Sequence, residues 1–325
     1  MARNRFDVFN GDADGICALI QLRLDQPAET TIISGVKRDI ALLKKVPDTT
    51  AADITVLDVS MAKNRDAMMT QLELGSHITY VDHHDPGEIP DHPSLTHHIN
   101  TASNTCTSLI VDKLLNGAHR EWALVGAYGD NMISSANALL RKSGLSPEQG
   151  ERLTQLGNYV NYNGYGASEP DLHFNPVSLY QAMVPYRSPF DFIQARPDIY
   201  QALEQGYIDD NAKAAATEIY SKQPGSRAYI LPDQAWSRRV SGVFSNQLTN
   251  QEPTLAHAVL TERADGDYLV SIRAPLKNRT GANELASAFP TGGGRQAAAG
   301  INALPASQLS TFLDAFHRRY AAKPI

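Results

Sequence analysis

The stretch Phe6-Asp-Val-Phe-Asn-Gly-Asp-Ala-Asp-Gly15 decides the fold. Phe6 to Phe9 read as a short strand, Asn10 to Gly15 as a polar turn, and helical spacing runs from Ile16 to Leu24. The alternation continues. Thr30-Thr-Ile-Ile33 is strand-like, Asp39 to Val46 helix-like, and Asp53-Ile-Thr-Val-Leu57 a buried strand. Ala62 to Leu74 then reads as a helix ended by Gly75, and His77-Ile-Thr-Tyr-Val81 as another strand. Strands separated by helices of this size predict an α/β fold with a parallel sheet and crossover helices. Ligands of such sheets bind at the carboxyl ends of the strands.

Beyond this region, residues 105–160 read as mainly helical, with Ser135, Ser143-Gly144 and Pro147 as punctuation. Residues 161–197 are rich in Gly, Pro, Asn and Tyr and read as a linker with an interdomain loop; a helical pattern follows from Asp198 to Tyr220. After Pro224-Gly225 come strands at Ala228 to Leu231, Leu255 to Thr261 and Tyr268 to Arg273, and helices at Val240 to Leu248 and Ala282 to Ala288. A Gly-rich turn and a helix from Ala306 to Tyr320 close the chain. The expected division is a first domain over residues 1–185, a linker over 186–225 and a smaller α/β domain over 226–325.

Composition narrows the class. The 325 residues amount to about two domains, because single cores seldom exceed ~250 residues. With 42% hydrophobic and 20% charged residues, the chain is an ordinary globular one. No run approaches the ~18 apolar residues of a membrane span. The first residues carry charges with no apolar core behind them, so no secretory signal is expected. Cys17 and Cys106 are too few for a disulfide framework or a Cys-rich zinc site, which points to a reduced, cytoplasmic protein. The net charge of −6 divides unevenly: residues 226–325 hold 11 basic and 7 acidic residues, the rest 18 and 28. An acidic body beside a basic module fits metal binding in one and anion binding in the other.

Four acidic clusters fall where strands end or helices begin: Asp12 with Asp14, Asp58, Asp82-His83-His84, and Asp130. In a parallel sheet the first three share one edge. Carboxylates crowded there repel one another unless cations intervene, and mixed carboxylate and imidazole ligands suit Mn²⁺ or Mg²⁺. Taken singly, a D-x-D after a strand is a helix cap, and His92, His97 and His98 read as loop or surface residues. It is the order and placement of all four clusters together that point to a metal site.

The chain resembles the DHH phosphoesterase family, named for the triplet found here as Asp82-His83-His84. The family's four acidic motifs match Asp12/Asp14, Asp58, Asp82-His83-His84 and Asp130 in order and spacing. Val240-Ser-Gly-Val-Phe244, Ser271-Ile-Arg273 and Gly292-Gly-Gly-Arg-Gln-Ala-Ala-Ala-Gly300 match stretches of the DHH-associated substrate domain. The pattern is nearest to nanoRNase or oligoribonuclease-type and RecJ-like members.

The resemblance implies two Mn²⁺ per active site, with Mg²⁺ or Co²⁺ as alternatives, in a cleft between the two domains. Asp12 holds one ion, Asp14, His83 and Asp130 the other, and Asp58 bridges them. Asp82 orients His83, and His84 touches the phosphate or protonates a leaving oxygen. Arg273, Lys277, Arg279 and Arg295 are the implied phosphate contacts, with Gly293 and Gly294 presenting backbone amides. Two departures stand out. Many members carry a metal-binding His four residues before the first motif aspartate, where this chain has Val8, so Asn10 becomes a substitute ligand. Arg295 stands where many have His.

The expected function is hydrolysis of short oligonucleotides or dinucleotides to mononucleotides by a two-metal phosphodiesterase, with Tyr162 and Tyr165 as stacking partners for bases. Alternatives are an exopolyphosphatase and a non-catalytic nucleotide-binding or regulatory protein. The substrates implied are short single strands, dinucleotides or polyphosphate. No long basic stripe is present, so neither duplex-specific DNA binding nor a membrane partner is expected, and a homodimer is compatible with the sequence.

Overall fold

β1 (Asn4–Phe9) lies inside a five-stranded sheet, with β2 (Thr31–Ile33) on one side and β3 (Ala52–Leu57) on the other. Beyond β3 come β4 (His77–Asp82) and β5 (Leu95–Ile99), and every pairing is parallel. This computed structural model describes residues 3–48 and 50–321. The strand order β2-β1-β3-β4-β5 reverses direction at β1, so the carboxyl ends of β1 and β3 flank a topological switch point.

Helices cover both faces. α1 (Ala13–Asp25) is buried continuously from Ala13 to Gln21. It packs on α3 (Thr107–Leu114), α4 (Arg120–Gly129) and α6 (Pro147–Gly164). On the other face, α2 (Met61–Glu73) and the turn Leu42–Lys45 bring Leu42, Leu43, Met61, Met68 and Leu72 against Val8, Ile54, Val56 and Tyr80. The remaining helices of this part are α5 (Ile133–Ser143), α7 (Pro176–Met183), α8 (Pro189–Ala195) and α9 (Pro197–Ala215).

Two compact units result, Met1–Gly206 and Tyr207–Ile325. The second holds a six-stranded sheet ordered β10-β11-β9-β8-β7-β6. Its strands are β6 (Ile219–Gln223), β7 (Ser226–Leu231), β8 (Ala256–Glu262), β9 (Tyr268–Arg273), β10 (Gly292–Gly294) and β11 (Ala298–Leu304). Only β7 and β8 pair in parallel. α10 (Ala235–Gln251), α11 (Ala282–Ser287) and α12 (Leu309–Arg319) accompany the sheet. Its core gathers Leu260, Val270, Ile272, Leu285, Ile301, Phe312 and Phe316.

The helix expected from Asp198 to Tyr220 stops at Ala215, and Ile219 and Tyr220 belong to β6. Four other local expectations need correction. Asp39 to Val46 is not a helix but a single 3₁₀ turn, because Pro47 holds Val46 extended at ψ 128°. His97 and His98, read as loop or surface residues, lie on an edge strand, Leu95–Ile99, with His97 exposed; an edge strand paired on one side tolerates polar residues. Asn161 to Gly164 continues α6, since Tyr162 is fully buried and its hydroxyl meets His173 Nε2 at 2.9 Å and Gly206 O at 3.0 Å. Tyr162 therefore stacks on no base. Gly292–Gly294, read as a turn, pairs with β11 as β10.

Where α4 crosses α1 and α6, Gly129 leaves no room for a side chain: a Cβ there would lie 2.4 Å from Ala13 Cβ and 2.8 Å from Gly157 O. Gly129→Ala is expected to lower stability by about 1–3 kcal/mol through overpacking. A urea-unfolding midpoint equal to that of the wild type would show that the helices yield freely.

Candidate metal centre

The loop joining β1 to α1 delivers two carboxylates. It folds tightly because Gly11 and Gly15 carry no side chain; a Cβ on either would lie 2.1 Å from Gly35 O or 2.2 Å from Asn10 O. Asp12 caps α1, its Oδ1 accepting from the amides of Asp14 at 3.0 Å and Gly15 at 3.1 Å. Asp14 is held from another helix. The amides of Thr107 and Ser108, at the start of α3, donate to its Oδ2 and Oδ1 at 2.8 and 2.7 Å. Free amides at a helix start are ready donors, and here they hold both oxygens of Asp14.

Asp58 follows β3 in a left-handed conformation, φ 59°, which a non-glycine residue adopts only when its surroundings impose it. Those surroundings are Val81 O, which accepts from the Asp58 amide at 3.1 Å, and the Thr107 hydroxyl, which donates to Asp58 Oδ1 at 3.0 Å. Asp130 ends α4 and is followed by Asn131, also left-handed at φ 61°. His83 and His84 diverge from the end of β4. His83 Nε2 lies 3.5 Å from Asp58 Oδ1 and 3.8 Å from Asp130 Oδ2. His84 Nδ1 donates to the buried Asp82 at 2.8 Å. Asp82 thus orients His84, where the motif implied His83 as its partner.

Two sets of ligand atoms converge. Those of Asp14, His83 and Asp130 lie within 4.8 Å of one another, as do those of Asp58, His83 and His84. Burial pushes Asp58 well above the ordinary carboxylate range, and repulsion from Asp14, Asp12, Asp130 and Asp82 adds to it. Asp130 rises to about 6 from burial and repulsion by Asp14. His84 is raised by its hydrogen bond to Asp82. A buried cluster of carboxylates that resist joint ionisation, with imidazole among them, fits a divalent cation: it would remove the repulsion and find hard oxygen donors.

Asp12 has a different partner. Lys37 Nζ meets Asp12 Oδ2 at 2.5 Å and Asn161 Oδ1 at 3.1 Å, lies 3.7 Å from Asp130 Oδ1, and sits 5.2 Å above the Tyr165 ring. Burial alone would lower the Lys37 pKa, but Asp12, Tyr165 and Asp130 raise it well above the ordinary value. Burial also opposes ionisation of Asp12, and Lys37 reverses that and holds it low. Asn10 Nδ2 donates to Lys37 O at 3.3 Å, while Asn10 Oδ1 is buried without a hydrogen-bond partner. Val8 is fully buried in the core.

In the second unit, Arg273 and Arg295 are gathered at one end of the sheet. Arg273 is opposite Ala298 in the β9–β11 register, and Arg295 closes the β10–β11 turn through reciprocal backbone bonds with Ala298 of 2.8 and 3.2 Å. Gly293 and Gly294 lead into this turn on β10, opposite Gly300 and Ala299. Arg273 also bonds Asn246 Oδ1 at 2.9 Å and Ser271 Oγ at 3.0 Å. Lys277 and Arg279 are exposed on the loop before α11. Sequence reasoning missed Lys37, Asn161, Thr107 and Ser108. Lys37 could have been found, since it lies four residues beyond β2 on the edge already marked by the aspartates; Thr107 and Ser108 reach Asp14 only through tertiary packing.

No protein-family model matches the chain, and no curated protein does. Solved structures do. A DHH-domain protein described as belonging to a family of ribosomal proteins matches at TM-score 0.70 and 14% identity, over 99% of this chain and 88% of the other. Exonuclease RecJ bound to manganese matches at TM-score 0.65 and 15% identity, over 99% and 91%. The pGpG-specific phosphodiesterase PggH from Vibrio cholerae matches at 0.57 and 13%, over 99% and 100%. At these identities the likeness is one of fold. The chain has the fold of the DHH-domain proteins.

Asp130 titrates near 6 in the fold against an ordinary 3.8, so the folded chain binds the extra proton between those values. That contribution favours folding at low pH and is lost as pH rises through about 6; the raised Asp58 and His84 act in the same sense. In a chelator, the melting temperature should fall from about pH 5 to about pH 7, and Mn²⁺ should raise it more at the higher pH. A melting temperature that is flat over this range, with or without Mn²⁺, would count against a metal site here.

Proposed function

We propose that the chain is a member of the DHH phosphoesterase family and hydrolyses short oligonucleotides or dinucleotides to mononucleotides with the help of Mn²⁺ or a similar divalent ion. The observation that carries this reading is the convergence of Asp14, His83 and Asp130, with Asp58 and His84 beside them, at the carboxyl edge of the sheet. Structures of the same fold include an exonuclease bound to manganese and a pGpG-specific phosphodiesterase, which favours a phosphodiester over other anions. Asp14, His83 and Asp130 would hold a divalent ion, with Asp58 at its edge, and such an ion supplies Lewis acidity toward a phosphoryl oxygen and acidifies water.

The chain's own groups account for the rest. His84 is exposed, carries a proton on Nδ1 toward Asp82 and has its pKa raised by that bond, which suits it to protonate a leaving oxygen from Nε2. Asp82 fixes the tautomer and the ring plane. His83, drawn toward Asp58 and Asp130, is a ligand rather than an acid. Arg273 and Arg295 bind the anionic substrate, with Lys277 and Arg279 adding exposed positive charge and Gly293 and Gly294 allowing close backbone approach. An overall acidic chain without a long basic stripe suits a small substrate rather than a duplex.

Purified protein with Mn²⁺ should release mononucleotide from a labelled dinucleotide and from short single strands, and no orthophosphate from polyphosphate. Orthophosphate release without mononucleotide would overturn the substrate assignment. Asp58→Ala should reduce mononucleotide release to background, because the cluster loses the carboxylate that faces His83 beside the ion. Near-normal rates in that variant would contradict the metal-dependent reading. Arg295→Ala should raise KM more than it lowers kcat, by about 1.5–3 kcal/mol in binding, whereas His84→Ala should act mainly on kcat. Steady-state constants for the two variants separate these roles, and an unchanged KM for a folded Arg295→Ala would remove Arg295 from substrate binding.

A further inference from the structure

We propose that Lys37 is a resident cation of this site: its ammonium stands where a second divalent ion would bind Asp12, so the chain holds one divalent ion per site rather than two. The proposal deepens the metal-dependent reading above and rests on it for what the charge accomplishes.

The ammonium is a built part of the cluster, not a surface lysine that has drifted in. Its partners are Asp12 Oδ2 at 2.5 Å, Asn161 Oδ1 at 3.1 Å and Asp130 Oδ1 at 3.7 Å, with the face of Tyr165 5.2 Å away. These are two carboxylates, an amide oxygen and a π face, an all-anionic or electron-rich shell of the kind a cation would collect. The backbone of Lys37 is pinned as well, its amide donating to Gly164 O at 2.8 Å and its carbonyl accepting from Asn10 Nδ2 at 3.3 Å. Its side chain is 23% exposed.

Asp12 differs from Asp14, whose two oxygens meet neutral amides, in already carrying a cation. Oδ1 caps α1 through two amides and Oδ2 takes the ammonium. A divalent ion on Asp12 would have to displace Lys37 or lie within a few ångströms of a positive charge in a buried setting, where repulsion is strongest. Val8 cannot help to hold it: its side chain is fully buried with Leu42, Leu43, Ile54 and Val56. By contrast, the set of Asp14, His83 and Asp130 meets the ammonium only at the far oxygen of Asp130. Asp130 spans both charges, Oδ1 toward Lys37 and Oδ2 toward His83. One divalent ion and one ammonium would thus answer the charge on the two sides of Asp130.

The test counts ions. Native mass spectrometry of the full chain equilibrated with Mn²⁺ should give one ion per chain, and electron paramagnetic resonance the six-line signal of isolated Mn²⁺. Lys37→Ala and the nearly isosteric Lys37→Met free Asp12 Oδ2, with the unpartnered Asn10 Oδ1 nearby on the same loop. Both variants should take up a second Mn²⁺, with an exchange-coupled signal. Two ions in the wild type would overturn the proposal while leaving metal-dependent hydrolysis intact, and a count of one in wild type and variants alike would overturn it too. No ion in the wild type would remove the metal reading itself, and this proposal with it. The wild-type count decides even if the variants fail to fold.

Discussion

Five buried or half-buried carboxylates of the first unit, those of Asp12, Asp14, Asp58, Asp82 and Asp130, crowd one edge of the parallel sheet, and their mutual repulsion is the constraint on which the rest depends. Three of them have their charge answered. Asp14 rests on the amides that open α3, Asp12 on the amides that open α1 and on Lys37, and Asp82 on His84. Asp58 and Asp130 are the two left under-compensated, and both are pushed toward the protonated form. The deficit therefore falls on the two carboxylates nearest His83. A protein that spends stability in this way normally does so at a functional site, because an apolar replacement would pack as well without the repulsion.

The geometry of the deficit follows from the topology. Parallel strands bring every β-to-α connection to the same edge, and the reversal of order at β1 parts the connections there, leaving β1 and β3 to present Asp12, Asp14 and Asp58 side by side. Local backbone then fine-tunes the arrangement. Asp58 turns its carboxylate toward the Thr107 hydroxyl from a left-handed conformation, and the start of α3 meets Asp14 and Asp58 at once. Thr107 and Ser108 thus tie two motif aspartates to one helix end.

What could be read from the sequence is what is local or strongly periodic. The strand–turn–helix of Phe6 to Leu24, the buried strand ending at Leu57 and the one ending at Val81 all stand where their patterns place them, and the strand-end position of the aspartates follows. Where local pattern competes with tertiary context, the reading fails. Asn161-Tyr-Asn-Gly164 is rich in turn-forming residues, yet burial of Tyr162 and Asn163 keeps it helical; Asn163 bonds both Phe174 O and Phe174 N, at 2.8 and 3.0 Å. Pro176, Pro189 and Pro197 open helices instead of breaking them, since the first helical position needs no amide proton. Lys37 is invisible to motif reasoning for another reason: its significance lies in a partner 25 residues upstream and another 124 downstream.

The adjacent histidines show how one short motif is divided into separate chemistries. Past the end of β4, His83 and His84 turn to different partners even though their ring centroids are 4.4 Å apart. His83 turns toward Asp58 and Asp130 and stays largely enclosed; His84 turns back to Asp82 and remains accessible. Enclosure among carboxylates suits a ligand, whose lone pair must face a cation. Accessibility beside one fully buried carboxylate suits an acid, whose proton must reach a substrate and be replaced from solvent. The same carboxylate that fixes the ring also raises its pKa, so placement and protonation are set by a single hydrogen bond. That economy explains why the triplet starts with an aspartate: without Asp82, the second histidine would have neither a defined tautomer nor a reason to hold its proton near neutral pH.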